Sequence, residues 1–277
     1  MIRALRLVVL AACLAVPVAE ARVGAAPGGG REAPMPAEET AIEARIGFDQ
    51  RIGATVPMDL VLDDADGGRT RLGEAMAGRP VVLAMAWYDC GMLCPITLNN
   101  LATTLAALDF AAGEEFSLVV VGIDPDDGPG MARKTRGTML AAGGIGDATG
   151  WHLLGGTKAE VDRLADAVGF RYAQDPGTGH YAHPAGLVIL TPEGRVARYL
   201  FGLDVAPSDL KFALMEASDG RLGSLADKIA LRCQSFDPAT GTYTTTILDA
   251  LRVAGSATVL VMAGAIGFWS LRARRSP

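Results

Sequence analysis

From Pro80 to Ala86 the chain carries no polar side chain. A strand can be apolar at every position only where both of its faces are covered, so this run predicts the central strand of a helix-covered sheet. Phe116 to Ile123 reads the same way, as a second apolar strand. Between the two, the chain passes through Trp87-Tyr88-Asp89-Cys90-Gly91-Met92-Leu93-Cys94-Pro95 and enters a helical pattern. Leu98, Leu101, Leu105 and Leu108 recur at three, four and three, which puts one helical face on the sheet. Pro95 suits the first turn of that helix, where its missing N–H costs nothing.

The remaining elements follow in order. Val56 to Leu62 and Arg69 to Leu72 are expected to be paired strands around the turn Asp63–Gly68, which lacks the ligand spacing and closing glutamate of a calcium loop. Helices are expected over Met131–Ala142 and Lys158–Val168, with a short strand at Trp151–Leu154 and a polar loop at Tyr172–His183. Gly186–Leu190 and Arg195–Phe201 read as a hairpin around Thr191-Pro192-Glu193-Gly194, and Ser208 is expected to cap a last helix ending near Ala217. Strands alternating with helices and closed by a hairpin predict an α/β domain with a mixed central sheet flanked by helices. A cysteine pair at the junction of the central strand and its helix makes the layout thioredoxin-like.

Both ends of the chain read as membrane addresses. Arg3 and Arg6 precede an apolar run from Leu7 to Val18, and Ala19-Glu20-Ala21 fits a signal cleavage site, so residues 1–21 are expected to be a signal peptide. Leu10-Ala11-Ala12-Cys13 offers a rival reading as a lipoprotein box. Residues 22–48 are a Gly-, Ala-, Pro- and Glu-rich lead that buries too little to order itself. The domain is expected over 49–217 and a stalk over 218–252, with a transmembrane helix over 253–271 and a cytoplasmic tail over 272–277. Val253 to Leu271 carries no charge, and at about 1.5 Å per residue it is roughly 28 Å long, close to a bilayer core. Arg272, Arg274 and Arg275 after it predict a cytoplasmic C-terminus and an extracytoplasmic domain in the cell's inner membrane. The net charge of −6 becomes more negative once these basic ends are set aside. An acidic outer domain argues against nucleic acid as a partner.

The chain has four cysteines. Cys13 falls in the signal, which leaves the Cys90–Cys94 pair and the remote Cys233. A disulfide framework would need more, so the pair reads as functional. A helix N-terminus favours thiolate. Disulfide reductases of this fold place two residues between their cysteines. Three here bring positions i and i+4 to one side, where both sulfurs can converge on one soft ion such as copper(I) or zinc. Two sulfurs leave the site short of a nitrogen ligand. Of the three histidines, His152 opens a strand and reads as structural. His180 and His183 lie in the loop expected to face the cysteines, and His183, directly before Pro184, is the stronger candidate.

Cys90-x-x-x-Cys94-Pro95, the Asp124-Pro125 loop and His183 nine residues before Pro192-Glu193-Gly194 resemble the Sco/SenC family over roughly residues 50–217. Leu231-Arg232-Cys233, Asp237-Pro238-Ala239-Thr240-Gly241 and the terminal apolar run are similar to its C-terminally anchored bacterial branch. The resemblance implies a thioredoxin-like fold that binds copper, as copper(I) or copper(II), through Cys90, Cys94 and His183. It implies delivery of that copper during assembly of cytochrome c oxidase, whose copper-site subunit would be the partner, alongside other copper chaperones or thiol reductases of the same compartment. It also implies thiol–disulfide activity at Cys90 and Cys94. Two departures stand out. Gly91 occupies a position usually held by proline, and Ala182 replaces an aspartate that often precedes the histidine and would orient its ring, a role for which Asp124 is a substitute.

Two functions therefore remain open: a metallochaperone, and a metal-independent, membrane-tethered thiol–disulfide oxidoreductase with Cys90 attacking and Cys94 resolving. The second predicts no role for His183. A peroxidase of the same fold lacks the expected Thr/Ser and Arg pattern around its first cysteine.

Overall fold

The computed structural model describes residues 42, 44–91, 93–219, 221–224, 227–228, 231, 234–245, 255–262 and 264–266. Strand β1 (Gly47–Phe48) leads to β2 (Val61–Asp64), β3 (Arg69–Arg71) and the short helix α1 (Leu72–Met76). Then come β4 (Val81–Ala86), α2 (Leu93–Ala106), β5 (Ser117–Gly122), α3 (Pro129–Gly143), β6 (Trp151–Gly155) and α4 (Lys158–Ala167). Four strands follow: β7 (Phe170–Arg171), β8 (Ala173–Gln174), β9 (Tyr181–Ala182) and β10 (Gly186–Leu190). The chain continues through β11 (Val196–Phe201), α5 (Pro207–Ala217), β12 (Gln234–Asp237) and β13 (Thr242–Thr245).

Seven strands form one mixed sheet in the order β11-β10-β4-β5-β6-β2-β3. β4, β5 and β6 run parallel, and antiparallel strands flank them on both sides. The apolar runs are its centre, since every residue of β4 and β5 is buried. Their side chains alternate between two cores, as the two-residue period of a strand requires. Val82, Ala84, Ala86, Leu118 and Val120 meet Leu98, Leu101 and Leu105 of α2, together with α3 and α5. Val81, Leu83, Met85, Val119 and Val121 meet α1 and α4.

Several local expectations are corrected. Of the strand expected at Val56–Leu62, only its last two residues are in β2. Pro57 can donate no ladder bond and instead accepts from Leu60 N in a turn. Leu72 opens α1 rather than ending β3. α5 starts two residues earlier than expected, with Ala206 at the cap, Pro207 in the first turn and no side-chain cap bond. α4 does have a full capping box, Thr157 with Glu160. The polar loop holds the hairpin β8–β9, whose turn is tied by Asp175 to Gly177 N and Thr178 Oγ1.

Within the stretch expected to be a stalk, β12 and β13 pair around Asp237–Gly241. They lie against the domain: Phe236 packs under Arg198 at 5.0 Å, and a Cβ at Gly241 would meet Phe201 N at 2.8 Å. Among the described residues no helix is long and apolar enough to cross a membrane. The expected span Val253–Leu271 is only partly described; residues 255–262 and 264–266 are helical and exposed. The expected signal peptide, Cys13 and Cys233 lie outside the described residues.

Candidate metal centre

β4 ends at Ala86, and the next three residues are fastened before the first cysteine is reached. Tyr88 is buried and turns its ring under the sheet's C-terminal edge, where its hydroxyl donates to Val120 O at 2.8 Å and Leu154 O at 2.9 Å. One side chain thus ties the cysteine loop to β5 and β6. Its ring fits because Gly122 has no side chain; a Cβ there would lie 2.9 Å from the ring. Asp127, 6% exposed, accepts from Tyr88 N at 2.9 Å and also holds the Asp89 backbone. Neither residue stood out in the sequence. The available signal was an acidic loop at the C-terminal end of an apolar strand, the edge where sites of open α/β sheets gather.

Burial pushes the Asp127 carboxyl up to about 6, with the charges of Asp124 and Asp89 adding to it. The folded chain therefore keeps a proton that the unfolded chain loses between its ordinary 3.8 and about 6. Stability from this group is present at low pH and falls as pH rises through that window. Asp127→Asn is expected to remove that slope, read as a smaller drop in urea midpoint between pH 4 and 7 than the parent shows. An equal drop would exclude Asp127 as its source.

Cys90 and Cys94 are both thiols. Cys94 is the second residue of α2 and is only 6% exposed. Burial first, and then the neighbouring Cys90 thiol, push its thiol up to about 12. The thiolate expected from the helix N-terminus is thus overturned at Cys94, because loss of solvent outweighs the amides of that first turn. His183 follows β9 and brings Nε2 to 3.1 Å from Cys94 Sγ. Its other ring nitrogen, Nδ1, lies 3.0 Å from Pro184 O. A carbonyl only accepts, so Nδ1 carries the proton and the Nε2 lone pair faces Cys94. Burial lowers the pKa of His183, which favours this neutral form. The Pro184 carbonyl does the orienting work that an aspartate at position 182 would do. Asp124 is not that partner; it accepts from Asp126 N in its own turn.

Cys90, Cys94 and His183 line one cavity of about 220 Å³, walled by apolar groups including Leu98, Leu101 and Leu187. Among the described residues, no group of three or more His, Cys, Asp and Glu side chains is already arranged to hold a metal ion. Cys94 touches both of the other two: His183 Nε2 on one side and the thiol of Cys90, on the loop, on the other. The donor set of two thiols and one imidazole lone pair fits a soft or borderline ion. His180 is turned away from the pair and packs on Trp87, with ring centroids 5.3 Å apart. His152 sits in β6 with Nδ1 4.0 Å from Asp64 Oδ2, far from the cysteine loop in the fold and in a structural setting.

Comparison with known proteins accords with this geometry. A Stutzerimonas stutzeri protein described as a candidate copper-binding protein is 26% identical over 130 residues, 46% of this chain; the match spans 60% of the relative's own length. A candidate electron-transfer protein from Aquifex aeolicus VF5 superposes with a TM-score of 0.55 at 25% identity, covering 62% of this chain and 96% of its own. BsSco, described as a member of the Sco family of cytochrome c oxidase assembly proteins, shares the fold with a TM-score of 0.50 at 17% identity over 61% of this chain and 97% of its own. The SCO1/SenC profile matches residues 53–219, more than half of the chain and all of the site just described. The chain belongs to the SCO1/SenC family.

Proposed function

We propose that this protein is a copper metallochaperone: it takes copper as cargo on Cys90, Cys94 and His183 and passes it on during assembly of cytochrome c oxidase. The observation that carries the reading is the approach of His183 Nε2 to Cys94 Sγ, 3.1 Å between residues 89 apart in sequence. A neutral imidazole lone pair aimed at a thiol is the place of a third soft-metal ligand, and it would serve a metal-independent oxidoreductase only as a base for Cys94. Family membership supports the reading, as do the copper-binding description of the Stutzerimonas relative and the oxidase-assembly description of BsSco.

When bound, copper supplies a soft ion that can exchange between thiolate sites. The chain's own residues do the rest. Pro184 O fixes the ring tautomer, the apolar walls keep water from the donors, and Cys94 gives up its proton as the ion is taken. Both thiols must be reduced beforehand, because a disulfide offers no thiolate. An anaerobic competition titration of the full chain with copper(I) is expected to show one tight equivalent, lost in Cys90→Ser. Affinity is expected to rise with pH, by about tenfold per unit for each proton displaced. Unchanged binding in Cys90→Ser would sink the reading.

The same reading sets the domain outside the cytoplasmic membrane, anchored by Val253–Leu271 and close to the copper-site subunit that would receive the ion. Its support is the uncharged run followed by Arg272, Arg274 and Arg275. A membrane-impermeant thiol reagent is expected to label Cys90 in intact spheroplasts. Labelling seen only after lysis would contradict this placement.

A further inference from the structure

Cys90 lines two cavities, and only one of them contains the other two donors. The second, of about 340 Å³, lies between the cysteine loop and α3. Its walls include Gly91, Asn99, Lys134, Thr135 and Thr138, but neither Cys94 nor His183. Gly91 borders it, and a Cβ at that position would meet nothing within 4 Å. Lys134 is the one lysine or arginine lining either cavity among the described residues. The lysine ion pairs there are those of Lys158 and Lys211, which leaves Lys134 without an acidic partner among the described residues. Asp89 is the acidic member of the same cavity, so a bound anion would be drawn to the α3 wall and away from the loop.

We propose that this second cavity is the docking site for a small, carboxylate-bearing thiol that reduces the cysteine pair, with the carboxylate on Lys134 and the sulfur on Cys90. The inference rests on the reading that Cys90 and Cys94 must be thiols before copper is taken. The incoming thiolate attacks Cys90 Sγ of the oxidised pair. A new S–S bond forms to Cys90, the Cys90–Cys94 bond breaks, and its electron pair leaves on Cys94 Sγ, which takes a proton from water. A second thiol attacks the mixed disulfide at the small molecule's sulfur. That releases Cys90 as the thiol and the small molecule as its own disulfide, so two thiols are oxidised for one disulfide reduced. Copper and reductant would thus approach Cys90 from opposite sides.

The test uses the full chain with the pair oxidised, and follows reduction by glutathione and by cysteamine, a thiol with no carboxylate. One unit charge about 6 Å from a carboxylate changes encounter by about threefold in water, so reversing it in Lys134→Glu is expected to slow glutathione about tenfold. Cysteamine should not be slowed. Thr135→Trp, which narrows the cavity from the α3 wall and lies outside the cavity of the copper ligands, should slow both thiols while leaving copper(I) affinity of the reduced chain within about twofold of the parent. Lys134→Glu reduced by glutathione at the parent's rate, or Thr135→Trp reduced by both thiols at the parent's rate, would overturn the proposal. If instead the oxidised chain binds copper(I) as tightly as the reduced one, the underlying reading fails, independently of where the thiol docks.

Discussion

Tyr88→Ala is expected to destabilise the domain by about 3–5 kcal/mol, the usual cost of deleting a buried aromatic side chain. The loss is not only apolar area. The hydroxyl of Tyr88 bridges Val120 O and Leu154 O, so the change also removes the donor that these two strand carbonyls share. Tyr88→Phe separates the two contributions: it keeps the ring and is expected to cost about 1–3 kcal/mol, the penalty for an unsatisfied buried group. Urea unfolding of both variants measures this directly. The functional consequence differs from the stability loss. Tyr88 is held by Asp127 and lies two residues before Cys90, so without it the loop loses its floor and Cys90 its fixed distance from Cys94 and His183. Copper affinity should therefore fall in Tyr88→Ala under conditions where the chain remains folded. A Tyr88→Ala protein as stable as the parent would mean that the loop is not anchored through this ring.

His183→Ala should weaken copper binding by at least about 100-fold, since removal of a ligand's outer partner alone typically costs 10- to 100-fold. The fold should be nearly indifferent. His183 lies in a loop, and its ring contacts Pro184 O, Cys94 and the Phe170 ring at 6.1 Å. This contrast of large metal loss with small stability loss separates a ligand from a packing histidine. Cys94→Ser should be as severe for copper, because a serine hydroxyl stays protonated and is a hard donor. Thiol–disulfide exchange differs at one of the two positions: it too should fail in Cys94→Ser, but it should persist in His183→Ala.

Where side-chain periodicity is long, the sequence was enough. The two apolar runs became the sheet's centre, and the leucine series became the buried face of α2, because burial on both sides of a strand leaves no alternative composition. The candidate donors could be singled out for a different reason: few residue types bind soft metals, and their spacing narrows the choice. What could not be read depends on contacts between distant backbone atoms. Nothing in Ala182 or Pro184 says that a main-chain carbonyl will take over the orientation of His183. The roles of Tyr88 and Asp127 emerge only when Gly122, bare of a side chain, is brought beneath the ring. The two-residue strands β7, β8 and β9 are too short for any period. The expected thiolate at Cys94 failed because helix position was visible and depth of burial was not.

The central claim is that Cys90, Cys94 and His183 close on one copper ion. X-ray absorption at the copper edge of the loaded full chain tests it most directly. The account predicts a first shell of two sulfurs and one imidazole nitrogen, with the imidazole contribution gone in His183→Ala and a sulfur gone in Cys90→Ser. A shell without sulfur, or one unchanged by His183→Ala, would contradict it.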